Sequence, residues 1–170
     1  MKRLFVLRSA RHRTKTQSGL SDYHHPLTRR GEIAAMTVGR TMRKNGDLPD
    51  LVICAAPARS RQTLAQIWPS LLDASHQAPE LIYDYHIHLM RGEQILARLR
   101  EVDEKFGSTL LVNIAPGVND LARLLWRQKN NEPNPFDKDM QPGNLAIFDC
   151  PVSTWAKLAP GLGTLARQVK

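Results

Sequence analysis

The sequence predicts an α/β fold: a three-layer α/β/α sandwich on a mostly parallel sheet, in one domain spanning residues 1–170. Two observations carry this. Four short apolar runs, Leu4–Leu7, Leu51–Cys54, Leu110–Ile114 and Leu145–Phe148, have the continuous hydrophobicity of strands covered on both faces. Between them lie segments whose apolar residues recur every three or four positions, the period of an amphipathic helix. Strands alternating with helices of this length build parallel sheets with helices on both sides. A chain of 170 residues is long enough to bury a real core.

The helical segments can be read in order. Ala35, Val38 and Met42 share a face in a segment starting near Thr28, a helix-capping residue, and Gly46 is a natural stop. Leu64, Ile67, Trp68, Leu71 and Leu72 form a second stripe. Ile95, Leu99, Val102 and Phe106 form a third, and Val118, Leu121, Ala122 and Leu125 a fourth. Three stretches read as irregular. Residues 11–26 are polar and rich in His and Ser, 73–80 hold small and polar residues, and 128–143 contain Asn130-Asn131 and three prolines. Trp68 is expected in the core, and Trp126 and Trp155 have no ligand-site signal.

Composition narrows the function. Lys and Arg number 24 against 16 Asp and Glu, a formal charge of +8. This favours anionic partners: phosphorylated molecules, acidic proteins or nucleic acid. Aromatics make up 6% of the chain and form no base-stacking cluster, so nucleic acid is disfavoured. Cys54 and Cys150 are far apart in apolar runs, which predicts buried free thiols in a reducing, cytoplasmic setting. The apolar run after Met1-Lys2-Arg3 is too short for a signal-peptide core, and no run approaches a membrane span.

In open α/β sheets, ligands bind beyond the carboxyl ends of the strands. Arg8 follows the first apolar run and Arg59 the second, while Asn113–Gly117 ends the third. These three places can converge on one pocket. Two arginines facing a common hollow repel unless an anion or an internal carboxylate lies between them. Asp22 is a candidate carboxylate for Arg8. Arg11, Arg13, Lys15, Arg29 and Arg30 add positive charge nearby and can steer anions, or simply form a solvated surface.

Four segments in order resemble the histidine phosphatase superfamily, also called phosphoglycerate mutase-like, and within it the small bacterial phosphohistidine phosphatases of the SixA type. They are Leu7-Arg8-Ser9-Ala10, Pro26-Leu27-Thr28-Arg29-Arg30-Gly31, Pro57-Ala58-Arg59-Ser60-Arg61-Gln62-Thr63, and Leu111-Val112-Asn113-Ile114-Ala115-Pro116-Gly117. The resemblance covers nearly the whole chain. It implies a phosphoglycerate mutase-like fold and a reaction with neither metal nor cofactor. In that reaction one histidine attacks phosphorus, while a second histidine and two arginines hold the oxygens. Arg8 and Arg59 match the two arginines, which makes them, with the Ser9 hydroxyl, the expected phosphate-binding set. Glu93, at the start of a helix, falls near a recurrent glutamate of the family.

Both imidazoles are replaced. Ser9 stands at the nucleophile position and Ile114 at that of the second histidine, and Asn113 and Ala115 depart from the family's glycine and asparagine. A serine hydroxyl is a poor nucleophile at neutral pH without a neighbouring base. Loss of one transition-state donor costs about 3–4 kcal/mol in comparable sites. His12, three residues beyond Ser9, is the best candidate to replace the missing nucleophile. His88 comes next, and His24, His25 and His86 follow.

Three functions are compatible with these residues. The leading one is a pseudophosphatase that binds phosphate or a phosphorylated small molecule or protein and hydrolyses it little or not at all. The second is an active phosphohistidine or phosphomonoester phosphatase with a relocated nucleophile. The third is a basic module for protein or nucleic-acid contacts on the same scaffold. No membrane partner is expected, and the substrate and oligomeric state are not specified by the sequence.

Overall fold

A computed structural model describes residues 1–72, 76–127 and 132–170. Residues 73–75 and 128–131, which belong to two of the expected irregular stretches, lie outside the described residues. The chain runs β1 (Lys2–Arg8), a single turn α1 (Lys15–Ser18), α2 (Arg29–Lys44), β2 (Leu51–Ala55), α3 (Ala58–Leu71), β3 (Glu80–Asp84), α4 (Gly92–Leu99), β4 (Ser108–Asn113), α5 (Gly117–Leu125), β5 (Leu145–Cys150) and β6 (Thr164–Val169). The six strands form one sheet in the order β3-β2-β4-β1-β5-β6.

The first four strands of that order are parallel; β5 runs antiparallel to both of its neighbours, β1 and β6. On one face Phe5, Leu7, Val52, Cys54, Leu110 and Val112 pack with Val38 and Met42 of α2 and Leu64 and Ile67 of α3. On the other, Leu4, Val6, Ile53 and Leu111 pack with α4 and α5. The sandwich therefore has the predicted three layers. Burial on both faces explains why β2 and the centres of β1 and β4 are uninterrupted apolar runs.

The helices begin and end for local reasons. The Thr28 hydroxyl accepts a hydrogen bond from the Gly31 amide and caps α2. Beyond its end, Gly46 takes a left-handed φ of 67°. The stripe through Ile95 and Leu99 does not continue as a helix: α4 ends at Leu99, although Val102 and Phe106 stay in the core. Trp155 is fully buried and donates from Nε1 to the Phe106 carbonyl. Both cysteines are buried and free, and burial pushes each thiol up to about 12.

Three features depart from the sequence reading. β3 begins at Glu80, the end of an expected irregular stretch, and β6 was not expected at all. The stretch 128–143 is no simple surface excursion, because Phe136 and Met140 are buried in the core. β5 runs antiparallel to β1, so it starts where β1 ends. The Arg8 amide donates to the Asn144 carbonyl, and the Gly143 amide donates to the Arg8 carbonyl. That reversal brings the segment before β5 to the edge of the sheet where the ligand site is expected.

Candidate anion-binding site

The carboxyl ends of the central strands meet in a pocket of about 70 Å³, lined by Arg8, Ser9, His12, Arg59, Ile114, Ala115 and Pro142. A single water needs about 10–15 Å³ on this measure, so the pocket has room for one small oxyanion. Parallel pairing sets Arg8 level with Asn113. Arg59 stands in the first turn of α3, just beyond β2. Three strand ends thus deliver the residues that the sequence places together.

The two arginines are held differently. Arg59 is buried. Its Nη1 donates to the Asp22 backbone carbonyl at 2.6 Å and its Nη2 to Asp22 Oδ2 at 2.9 Å. Asp22 is therefore the partner of Arg59, not of Arg8. Burial pushes the Asp22 carboxyl up, but the hydrogen bond and charge of Arg59 outweigh it and hold the group below its ordinary value. Arg8 donates from Nη1 to the Met140 carbonyl. Burial lowers its pKa; Asp139 opposes the shift, and the neighbouring Arg59 charge adds to it. The two guanidinium groups thus act on each other across the pocket, and Asp22 and Asp139 compensate them from its rim.

Ser9 is tied down. It is buried, donates from Oγ to the Asn113 carbonyl at 3.0 Å, and lies 2.8 Å from Ser60 Oγ. With its one proton committed to Asn113, Ser9 accepts from Ser60. No base abstracts the Ser9 proton in this arrangement. Ile114 adds an apolar wall. Its amide donates to Asn113 Oδ1, while Asn113 Nδ2 donates to the Ile87 carbonyl. Asn113 is thus a satisfied buried amide that fixes the end of β4.

Ser60 and Thr63 escaped the sequence reading as site residues. Thr63 Oγ1 accepts from the Ala10 amide and donates to the Arg59 carbonyl, so α3 clamps the segment that follows β1. The signal was present: Ser60 and Thr63 share one face of an otherwise apolar helix stripe, with Arg59 beside them.

Among the pocket-lining residues, His12 is the one imidazole. Burial, and then the Arg59 charge, lower its pKa and favour the neutral ring. It pairs as an isolated bridge with Leu27 and stacks on His25 at 5.6 Å between ring centroids. His88 packs edge-on against Tyr23 and does not line the pocket. His24 bonds to Ser21 Oγ, and His86 is exposed. Glu93 stands in the first turn of α4, as expected, but does not line the pocket. It is exposed beside Arg91 and Asp120, away from the pocket, because the start of α4 packs against α5.

The fold is that of the histidine phosphatases, the phosphoglycerate mutase-like class of α/β proteins. Among solved structures, the chain is similar to one assigned as the phosphohistidine phosphatase SixA of Nakamurella multipartitia, at 24% identity and a TM-score of 0.83 over 99% of this chain and 95% of that one. A chain similarly assigned in Agrobacterium tumefaciens has 18% identity and a TM-score of 0.79 over 99% and 97% of the two chains. The protein histidine phosphatase SixA in complex with tungstate has 19% identity and a TM-score of 0.73 over 99% and 96%. No family model and no curated protein sequence matches the chain. At these identities the likeness establishes the fold.

Proposed function

We propose that this chain is a pseudophosphatase on the histidine phosphatase fold, which binds phosphate or a phosphorylated partner between Arg8 and Arg59 and turns it over little or not at all. The observation that carries this reading is the pairing of two guanidinium groups at one pocket with Ser9 and Ile114. The arginines supply grip. Ser9 offers a hydroxyl already committed to Asn113, and Ile114 offers hydrocarbon where charge would develop. Neither can open a P–O bond. Titration with phosphate or tungstate should give saturable binding that Arg8→Ala and Arg59→Ala abolish, while hydrolysis of an aryl phosphate stays at background.

One observation favours a second reading: His12 lines the pocket, where burial and then the Arg59 charge favour its neutral ring. An imidazole nitrogen of His12 can attack phosphorus while the P–O bond to the leaving group breaks, with its electrons going to that oxygen. Water would then hydrolyse the phosphohistidine. Robust turnover, lost in His12→Ala and accompanied by a phosphorylated His12 in rapidly quenched samples, would establish this reading and overturn the first.

A further inference from the structure

Beside the anion pocket, His12, Asp22 and His25 bring three ligand atoms within 4.8 Å of one another. The backbone arranges them. The His12–Leu27 bridge and the bond from the Arg13 amide to the Pro26 carbonyl lay residues 11–13 along 26–28. The short 3-10 turn Asp22–His24 then brings the carboxylate round to the two rings.

The decisive atom is His25 Nδ1. His25 is 5% exposed, and its Nε2 lies 3.0 Å from the Leu20 carbonyl. A carbonyl only accepts, so Nε2 carries a proton. In the neutral ring Nδ1 is therefore a bare lone pair. That nitrogen is buried and has no hydrogen-bond partner. It faces Asp22 Oδ1 at 3.5 Å. Two acceptors at this distance are satisfied by a positive centre between them, either a proton on Nδ1 or a metal ion. Arg59 does not supply it, because its guanidinium binds the other carboxylate oxygen, Oδ2.

We infer that His12, Asp22 and His25 form a binding site for a divalent transition-metal ion of the zinc class. Two imidazoles and one carboxylate suit zinc and its first-row neighbours, not magnesium or calcium. The surroundings resemble those of metal ligands in general: the far nitrogen of His25 is anchored by a backbone carbonyl, and the far oxygen of Asp22 by an arginine. With bonds of about 2.0–2.1 Å, donors in a tetrahedral site stand about 3.3 Å apart. Small side-chain rotations of the half-buried His12 and the exposed Asp22 would close the present spread of up to 4.8 Å. Three protein donors leave a fourth position open. Because His12 also lines the anion pocket, the ion would stand at its edge. The two sites share a border, because His12 lines the anion pocket and Arg59 binds Asp22, but the metal donors are distinct from Arg8 and Ser9, so loss of anion binding in Arg8→Ala and loss of metal binding in His25→Ala are separate outcomes.

The test is a zinc titration of the full-length, metal-stripped protein in phosphate-free buffer, by calorimetry or chelator competition. One equivalent should bind. His12→Ala, Asp22→Asn and His25→Ala should each weaken binding at least ten-fold, while His86→Ala, at an exposed histidine elsewhere, should leave it unchanged. Cobalt should give the visible absorption of a low-coordinate ion and lose it in His25→Ala. If burial makes His25→Ala unstable, His12→Ala and Asp22→Asn, at less buried positions, carry the same test. The wild-type chain offers a further measurement that needs no variant. Nitrogen-detected NMR of the metal-free protein should show His25 Nδ1 unprotonated and shifted on zinc addition. Zinc affinity equal in all variants, or a metal-free His25 protonated on both nitrogens, would overturn the assignment.

Discussion

Arg59 grips Asp22 twice, through the backbone carbonyl at 2.6 Å and the carboxylate at 2.9 Å, although 37 positions separate them in sequence. The contact fastens the loop between β1 and α2 to the start of α3. It also sets a pH dependence. The Asp22 carboxyl is held below its ordinary value of 3.8 in the folded chain. A depressed carboxyl pKa contributes stability that is present above the unfolded value and lost as pH falls through the folded one. Asparagine cannot titrate. The wild-type chain should therefore exceed Asp22→Asn in urea midpoint above about pH 5. That margin should shrink to nothing as the pH drops well below 3.8. A margin that persists in strong acid would show that charge is not its source.

Arg8 and Arg59 face one another across a pocket with compensation only at its rim, so an added anion should stabilise the fold. Phosphate or tungstate should raise the thermal midpoint with concentration, following mass action, by about 2.7 kcal/mol at a hundred-fold excess over Kd. In Arg8→Ala the effect should fall to that of chloride at matched ionic strength. Equal stabilisation of both proteins would locate the anion elsewhere.

Much of this arrangement is written in the sequence, and the missing parts have physical causes. β1, β2 and β4 are legible because they are buried on both faces, so their character does not depend on their neighbours. β3 is an edge strand whose Leu81, Ile82 and Tyr83 are 36–44% exposed, and it lacks that signature. β5 is legible as a strand, but its direction is decided by the path of the chain after α5, which no local pattern encodes. Arg8 and Arg59 are legible through their positions at strand ends. The choice of Arg59 by Asp22 is not, since it depends on how a polar loop returns across the sheet edge. The position of Glu93 is legible only in part for a related reason: the start of a helix is visible in sequence, but the neighbour it packs against is not.

Restoring the two imidazoles tests whether their loss is what silences the pocket. Ser9 is held by Ser60 and Asn113, while Ile114 is only partly buried, so the second position should accept a larger polar group more easily. Groups that act as one unit are strongly non-additive. Ser9→His and Ile114→His should each remain near background against an aryl phosphate. The double variant should exceed either by about 10²–10³-fold, the usual worth of one transition-state donor. A double variant no better than the singles would mean that other groups of the pocket are also misplaced.

Gly31 and Gly46 are glycines for different reasons, and replacing each by alanine separates close packing from backbone conformation. Gly31 lies in the first turn of α2, where a Cβ would fall inside contact distance of the Arg11 backbone carbonyl oxygen. That oxygen already accepts from the Thr28 amide at 3.0 Å and the Thr28 hydroxyl at 3.3 Å, so it cannot withdraw without breaking both bonds. Gly46 has open space around it, and only its left-handed φ of 67° resists a side chain. Gly46→Ala should lower stability by about 1 kcal/mol, the strain of one left-handed alanine. Gly31→Ala should cost more, about 1–3 kcal/mol for overpacking plus the loosened cap. It should also carry a signature that Gly46→Ala lacks. Because Arg11 is next to His12, the displaced carbonyl should shift the His12 ring resonances and weaken tungstate binding. Urea midpoints and a histidine-selective NMR spectrum of the two variants would decide it: equal stability losses, or an unmoved His12 in Gly31→Ala, would show that the segment after β1 is not positioned through this contact.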